Sequence, residues 1–183
     1  MAATPCPENA ESAVHALVAF LDDPADQEIR ALWQVLQKAG VPSGGRRFPP
    51  HVPFGAAASM PARARAAVRE ELALLTLPGI WLSTLATFPN TDNVLMLTAV
   101  VDTELLAVHS AVHDALAGKV RHPSVLHLPG SWVPHCTLAE RITPTQLATG
   151  FALLHPVAPI RATLGPVVVL DTGTGTVEPL RQR

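Results

Sequence analysis

The sequence predicts an α+β domain built from two similar halves, and three observations carry that prediction. Strand-like and helix-like apolar patterns alternate along the 183 residues. The order strand, helix, loop, Pro-His strand occurs twice, from His15 to Gly55 and again from Val94 to Ala139. Proline, with 18 residues, is concentrated between the periodic segments, where it stops helices and fixes turns. A chain of this length is expected to form one domain over residues 1–183, with the two halves related by a pseudo-twofold axis.

Each element has a local reason. His15 to Leu21 is apolar and then acidic, a first strand. Asp22-Asp23-Pro24 suits a helix start, because Asp favours the N-cap and Pro the first turn. Ile29, Leu32, Trp33, Leu36 and Ala39 recur at helical spacing, and Gly40 and Pro42 end that helix. Pro49 to Gly55 is a short extended segment, and Pro61 to Leu75 a second helix. Ile80 to Phe88 and Val94 to Val101 read as strands joined through Pro89-Asn90-Thr91-Asp92-Asn93 into a hairpin. Asp102 and Thr103 start a helix that Gly118 stops, and Arg121 to Ser131 reads as a loop. Trp132 to Leu138 is the next strand, and Thr143-Pro144 starts a helix to about Leu154. Two strands, Ile160 to Leu164 and Val167 to Leu170, lead through a turn at Thr172 to Gly175 to an edge strand at Val177 to Leu180.

Composition narrows the functional classes. A net charge of −2 is wrong for gripping long nucleic acid, which takes many Lys and Arg to displace counterions, so no extended nucleic-acid surface is expected. It leaves room for a nucleotide or an RNA end. Two cysteines, Cys6 and Cys136, make no disulfide framework, and a reducing cytoplasm is the expected location. The first apolar run is short and acidic at its end, unlike a signal peptide, and no run approaches the roughly 20 apolar residues of a membrane span. A monomer is expected.

The chemistry is in the two Pro-His strands. Strand side chains alternate, so Val52 and Phe54 share one face while His51, Pro53 and Gly55 share the other. In the second strand Cys136 and Leu138 oppose His135, Thr137 and Ala139. With the apolar sets turned to the helices, both histidines enter one groove, Thr137 beside His135. Two imidazoles with ordinary pKa values near 6.5 suit phosphodiester hydrolysis, one as neutral base and one as protonated acid. A threonine hydroxyl donates to a phosphoryl oxygen as charge builds there. No metal or cofactor is required.

Pro134-His135-Cys136-Thr137-Leu138 resembles the histidine–any residue–Thr/Ser motif of the two-histidine phosphoesterases, the 2'-5' RNA ligase/cyclic phosphodiesterase superfamily, and Pro50-His51-Val52-Pro53-Phe54 resembles its first copy. The copies stand 84 residues apart, and the likeness runs over about residues 14 to 180. It implies a LigT-like α+β fold, with two antiparallel sheets around a central cleft, and metal-independent hydrolysis of 2',3'-cyclic phosphates of nucleotides or RNA ends. His51 and His135 would be the acid–base pair and Thr137 would orient the phosphate. The first motif departs from the pattern at Pro53, which has neither a hydroxyl nor a backbone N–H. Three readings follow: a site that works with one hydroxyl, a different substrate, or a module that binds a nucleotide or RNA end without turnover.

The remaining polar residues are given plainer roles. His109 and His113 have the spacing of two zinc ligands but lack the following Glu, and a solvated helix face is expected. His122 and His127 are expected in a surface loop, Trp33 and Trp81 in the core, and Trp132 in the core rather than stacking a base at the cleft edge, the alternative for it. Cys136 is expected to be buried and no nucleophile, and Cys6 to lie in a loose N-terminal tail. Arg46, Arg47, Arg121 and Arg141 lie near the motifs as candidate phosphate contacts. Gly173-Thr174-Gly175 is no phosphate loop, since no helix follows it.

Overall fold

The computed structural model describes residues 15–44 and 47–182; Cys6 and Arg46 lie outside the described residues. The first half runs β1 (His15–Leu21), α1 (Asp23–Lys38), β2 (His51–Ser59) and α2 (Ala62–Leu74). A hairpin strand, β3 (Gly79–Ala86), leads into the second half: β4 (Leu95–Ala99), α3 (Thr103–Leu116), a short strand β5 (Arg121–Pro123), β6 (His135–Ala139) and α4 (Pro144–Leu154). β7 (Ile160–Asp171) and β8 (Val177–Arg181) close the chain. The helix starts follow the chemistry in the sequence. Pro24 stands in the first turn of α1, the Asp102 carboxylate accepts from the Leu105 N–H, and Thr143 and Gln146 form a reciprocal capping box on α4.

Every strand pair is antiparallel, and the order is β5-β2-β1-β7-β3-β4-β6, with β8 also on β7. The two expected sheets therefore share one strand. β7 pairs β1 through Leu164 and Val167–Asp171 and β3 through Ile160–Thr163, so the first half hangs from one end of it and the β3–β4–β6 set from the other. Two strands were expected here; Gly165-Pro166 instead passes within a single strand, at the register shift opposite β1, where the missing Pro N–H is tolerated. The expected loop from Arg121 to Ser131 also differs. It holds β5 on the edge of β2, then a 3₁₀ turn over Val125–His127.

One face of the sheet lies under the helices. Leu17, Ala19 and Leu21 of β1, Val52 and Phe54 of β2, Leu95 and Leu97 of β4, Cys136 and Leu138 of β6, and Leu164, Val167 and Val169 of β7 form one core with the buried residues of all four helices. α4 sits very close on β4 at Gly150, where a Cβ would come within 2.6 Å of the Leu95 side chain. Across the sheet, Val18, Val168 and Leu170 make a second, small cluster with Phe20 and Phe48. Among the described residues no helix is long and apolar enough to cross a membrane.

Candidate active site

β2 and β6 stand near opposite ends of the strand order, yet they come alongside one another. The sheet bends back on itself, and this is what joins two motifs 84 residues apart. Contacts from the first half hold the approach. The Gly44 N–H donates to the Leu138 carbonyl at 2.7 Å, and the Trp33 indole N–H donates to the Thr137 carbonyl at 3.2 Å. The expected faces are the observed ones: Val52, Phe54, Cys136 and Leu138 enter the helix-covered core, so His51, His135 and Thr137 turn to the opposite face.

The two histidines are held alike. His51 Nδ1 lies 2.7 Å from the Pro49 carbonyl oxygen, and His135 Nδ1 lies 2.7 Å from the Val133 carbonyl oxygen. A carbonyl only accepts, so in each neutral ring the proton is on Nδ1, and Nε2 keeps its lone pair. Each lock reaches back two residues across a proline, Pro50 or Pro134, and a residue before proline is kept extended. Each strand partner is matched as well, Phe20 opposite His51 and Thr98 opposite His135. The Phe20 ring meets His51 edge-on at 6.4 Å, and the Phe88 ring meets His135 at 5.2 Å.

Their electrostatics differ in a useful way. Burial pushes both pKa values below the ordinary histidine range, while the backbone carbonyl on each Nδ1 opposes that shift. Beyond this, the Glu140 carboxylate favours charge on His51, whereas His51 disfavours charge on His135. The pair is close enough for one charge to be felt by the other. Thr137 is partly exposed on the same face, two residues from His135. Pro53 presents no donor, and its carbonyl is occupied by the Trp132 indole N–H at 2.8 Å. Cys136 is buried, and burial pushes its thiol up to about 12, so it stays protonated and is no nucleophile.

Several expectations for the surroundings are corrected. His109 and His113 do not form a solvated helix face; they point onto β2. His109 is 1% exposed, stacks on Trp132 with ring centroids 3.8 Å apart, and donates from Nε2 to the His127 carbonyl at 2.9 Å. His113 donates from Nε2 to the Phe54 carbonyl at 2.9 Å. His127 is partly buried rather than on a surface loop, with Nδ1 3.2 Å from the Ser124 hydroxyl, while His122 is exposed as expected. Trp33 and Trp132 are core residues, but Trp81 is 43% exposed. Arg47 is used structurally, its guanidinium donating to the carbonyls of Thr172 and Gly173. Arg121 and Arg141 are exposed, Arg141 beside Glu140. The turn over Thr172–Gly175 is bonded to the Asp171 carboxylate, with no helix after it.

The histidine layer behind β2 was not legible in the sequence. The 109/113 spacing marks one helix face, but only the fold shows that this face is turned inward. It gives a pH prediction. Burial, then the neighbouring His113, push His109 down to about 4. The unfolded chain binds that proton near pH 6.5, so the folded state carries fewer protons between 6.5 and 4. Stability is full above pH 6.5 and falls as the pH drops toward 4, by up to about 3 kcal/mol from this group. Denaturant melts at pH 7 and pH 4.5 check it: His109→Gln should reduce the difference without abolishing it, since burial pushes His127 down to about 4 as well, and an unchanged slope contradicts the assignment.

An antiparallel α+β frame with two matched Pro-His strands is the architecture of a phosphoesterase of the two-histidine kind. The family model described as the 2'-5' RNA ligase superfamily matches residues 20–176, and the chain belongs to that superfamily. Among solved structures it is similar to Usb1 of Kluyveromyces marxianus, at 12% identity and a TM-score of 0.52, over 92% of this chain and 98% of that one. The same protein with uridine monophosphate matches at 14% identity and a TM-score of 0.52, over 91% and 96% of the two chains. At such identities the likeness shows the fold. No curated protein matches the chain.

Proposed function

We propose that the protein is a metal-independent phosphodiesterase acting on 2',3'-cyclic phosphates of nucleotides or RNA ends, with His51 and His135 as its acid–base pair. The observation that carries this reading is the matched Nδ1 lock, which leaves an Nε2 on each motif strand, both on the face away from the helices. The neutral imidazole takes a proton from water on Nε2 as the water oxygen bonds to phosphorus. The protonated imidazole gives its Nε2 proton to the sugar oxygen as its bond to phosphorus breaks. Thr137 donates its hydroxyl to a phosphoryl oxygen. The product is a phosphate monoester, and the pair has exchanged one proton. The uridine monophosphate seen with the similar Usb1 supports a nucleotide-sized ligand here.

The pH dependence tests the pair. One imidazole must be neutral and the other charged, so kcat/KM is bell-shaped. Both pKa values lie below 6.5, which places the maximum below pH 6.5. Activity should survive EDTA. A single ionisation above pH 7, or loss of activity with EDTA and its return with a divalent cation, contradicts the mechanism.

Pro53 favours a second reading, a module that binds without turnover. Pro53→Thr restores a hydroxyl at the position matching Thr137. A gain of less than about tenfold in an already active protein supports the enzyme, with one hydroxyl sufficing, since a lost transition-state donor is worth about 10²–10³-fold. Activity appearing from none supports the binding module.

A further inference from the structure

The exposed Trp81 lies on the same face of the sheet as the histidines. Ile80 and Leu82 of β3, with Ile160, Ala162 and Leu164 of β7, belong to the main core, so alternation turns Trp81, Arg161 and Thr163 the other way. On β1 the residues of that face are Val18 and Phe20, the ring that meets His51. Asp22 lies two residues past Phe20 in extended backbone, about 7 Å farther along. Asp22, Trp81, Arg161 and Thr163 line one depression of about 310 Å³.

The groups in this depression are unusual for a plain surface. The Arg161 guanidinium lies 4.2 Å from the centre of the Trp81 ring and makes no hydrogen bond among the described residues. Asp22 stands at the start of α1 but its side chain does not cap the helix. Its Oδ1 is closed off from solvent and has no hydrogen-bond partner among the described residues. The carboxylate lines the depression and accepts no hydrogen bond among the described residues, so a ligand donor reaching its other oxygen would engage a group the fold leaves unpaired.

We propose that this depression is a nucleobase subsite that takes the nucleotide next to the reacting phosphate and prefers guanine; the inference rests on the phosphodiester reading above. A guanidinium layered on an indole is a stacking platform for a base. The Watson–Crick edge of guanine carries two adjacent donors, N1–H and the N2 amino group, which match a carboxylate. Uracil offers one N–H between two carbonyl oxygens, which a carboxylate repels. The volume is at the lower end of the roughly 300–1,000 Å³ of small-ligand pockets, the size for one base and its sugar.

Titration calorimetry on the whole protein tests this with unreactive product-type ligands, the dinucleotides GpUp and UpUp, and with free GMP. GpUp is expected to bind about tenfold or more tightly than UpUp. Trp81→Ala and Arg161→Ala should each weaken GpUp about tenfold, and Asp22→Asn should abolish the preference for G over U. Equal affinity for the two dinucleotides, or affinities unmoved by all three substitutions, overturns the proposal. GMP binding as tightly as GpUp, with the same dependence on Asp22, makes this a free-nucleotide site and overturns its place beside the reacting phosphate. The readout is binding, so a wild type that turns over no cyclic phosphate overturns the proposed activity and leaves this test standing.

Discussion

Replacing either His51 or His135 with alanine is expected to lower turnover of a nucleoside 2',3'-cyclic phosphate by about 10²–10⁴-fold, the usual worth of a positioned acid or base. The two losses should not add. Because the two proton transfers, from water and to the sugar oxygen, belong to one displacement, the double variant falls little below the worse single one. The structural cost is smaller for His51, which is partly exposed at the start of β2, although its removal also leaves a carbonyl, that of Pro49, without its donor. It is larger for His135, which is 7% exposed and whose removal leaves the Val133 carbonyl without its donor. His135→Asn, which keeps a side-chain amide donor, separates the two effects: stability returns and turnover does not. Steady-state rates with thermal melts on each variant check this, and wild-type turnover in either alanine variant contradicts the pairing.

Trp132→Ala is expected to destabilise the fold by about 3–5 kcal/mol, as for other large buried aromatics. Trp132 stacks on His109, packs against Phe54 at 5.2 Å, and donates to the Pro53 carbonyl. Its loss opens a cavity behind β2 and strips a donor from the residue next but one to His51. Trp132→Phe keeps most of the bulk and loses the N–H, so about 1–3 kcal/mol is expected for the orphaned carbonyl. Urea denaturation measures both. A loss under about 1 kcal/mol for the alanine variant would show that the layer behind β2 does not hold the strand.

Most of the frame was legible because its signals are local. The caps at Asp102 and Thr143, the hairpin turn at Pro89–Asn93 and the alternation of β2 and β6 each act within a few residues. The repeat pointed to the candidate site, since one Pro-His strand is weak evidence and two in matched settings are stronger. What stayed hidden depends on contacts distant in sequence. His109 and His113 read as a polar face because the sequence does not show the Phe54 and His127 carbonyls that receive them. Trp81 read as core because its size is visible, while its alternation against Ile80 and Leu82 puts it on the far face. The Nδ1 locks left a trace in the two prolines, but the reach of each ring to the carbonyl two residues back required the strand to be built.

Metal-free cleavage of a phosphodiester by two imidazoles is read from ³¹P NMR of uridine 2',3'-cyclic phosphate with the EDTA-treated protein. The cyclic diester resonance is expected to be replaced by that of a single monoester, 2' or 3', at a rate that either histidine variant lowers by about 10²–10⁴-fold. A cyclic diester left intact by the wild type over hours, in protein that calorimetry shows to bind uridine monophosphate, would contradict it and leave a nucleotide-binding module.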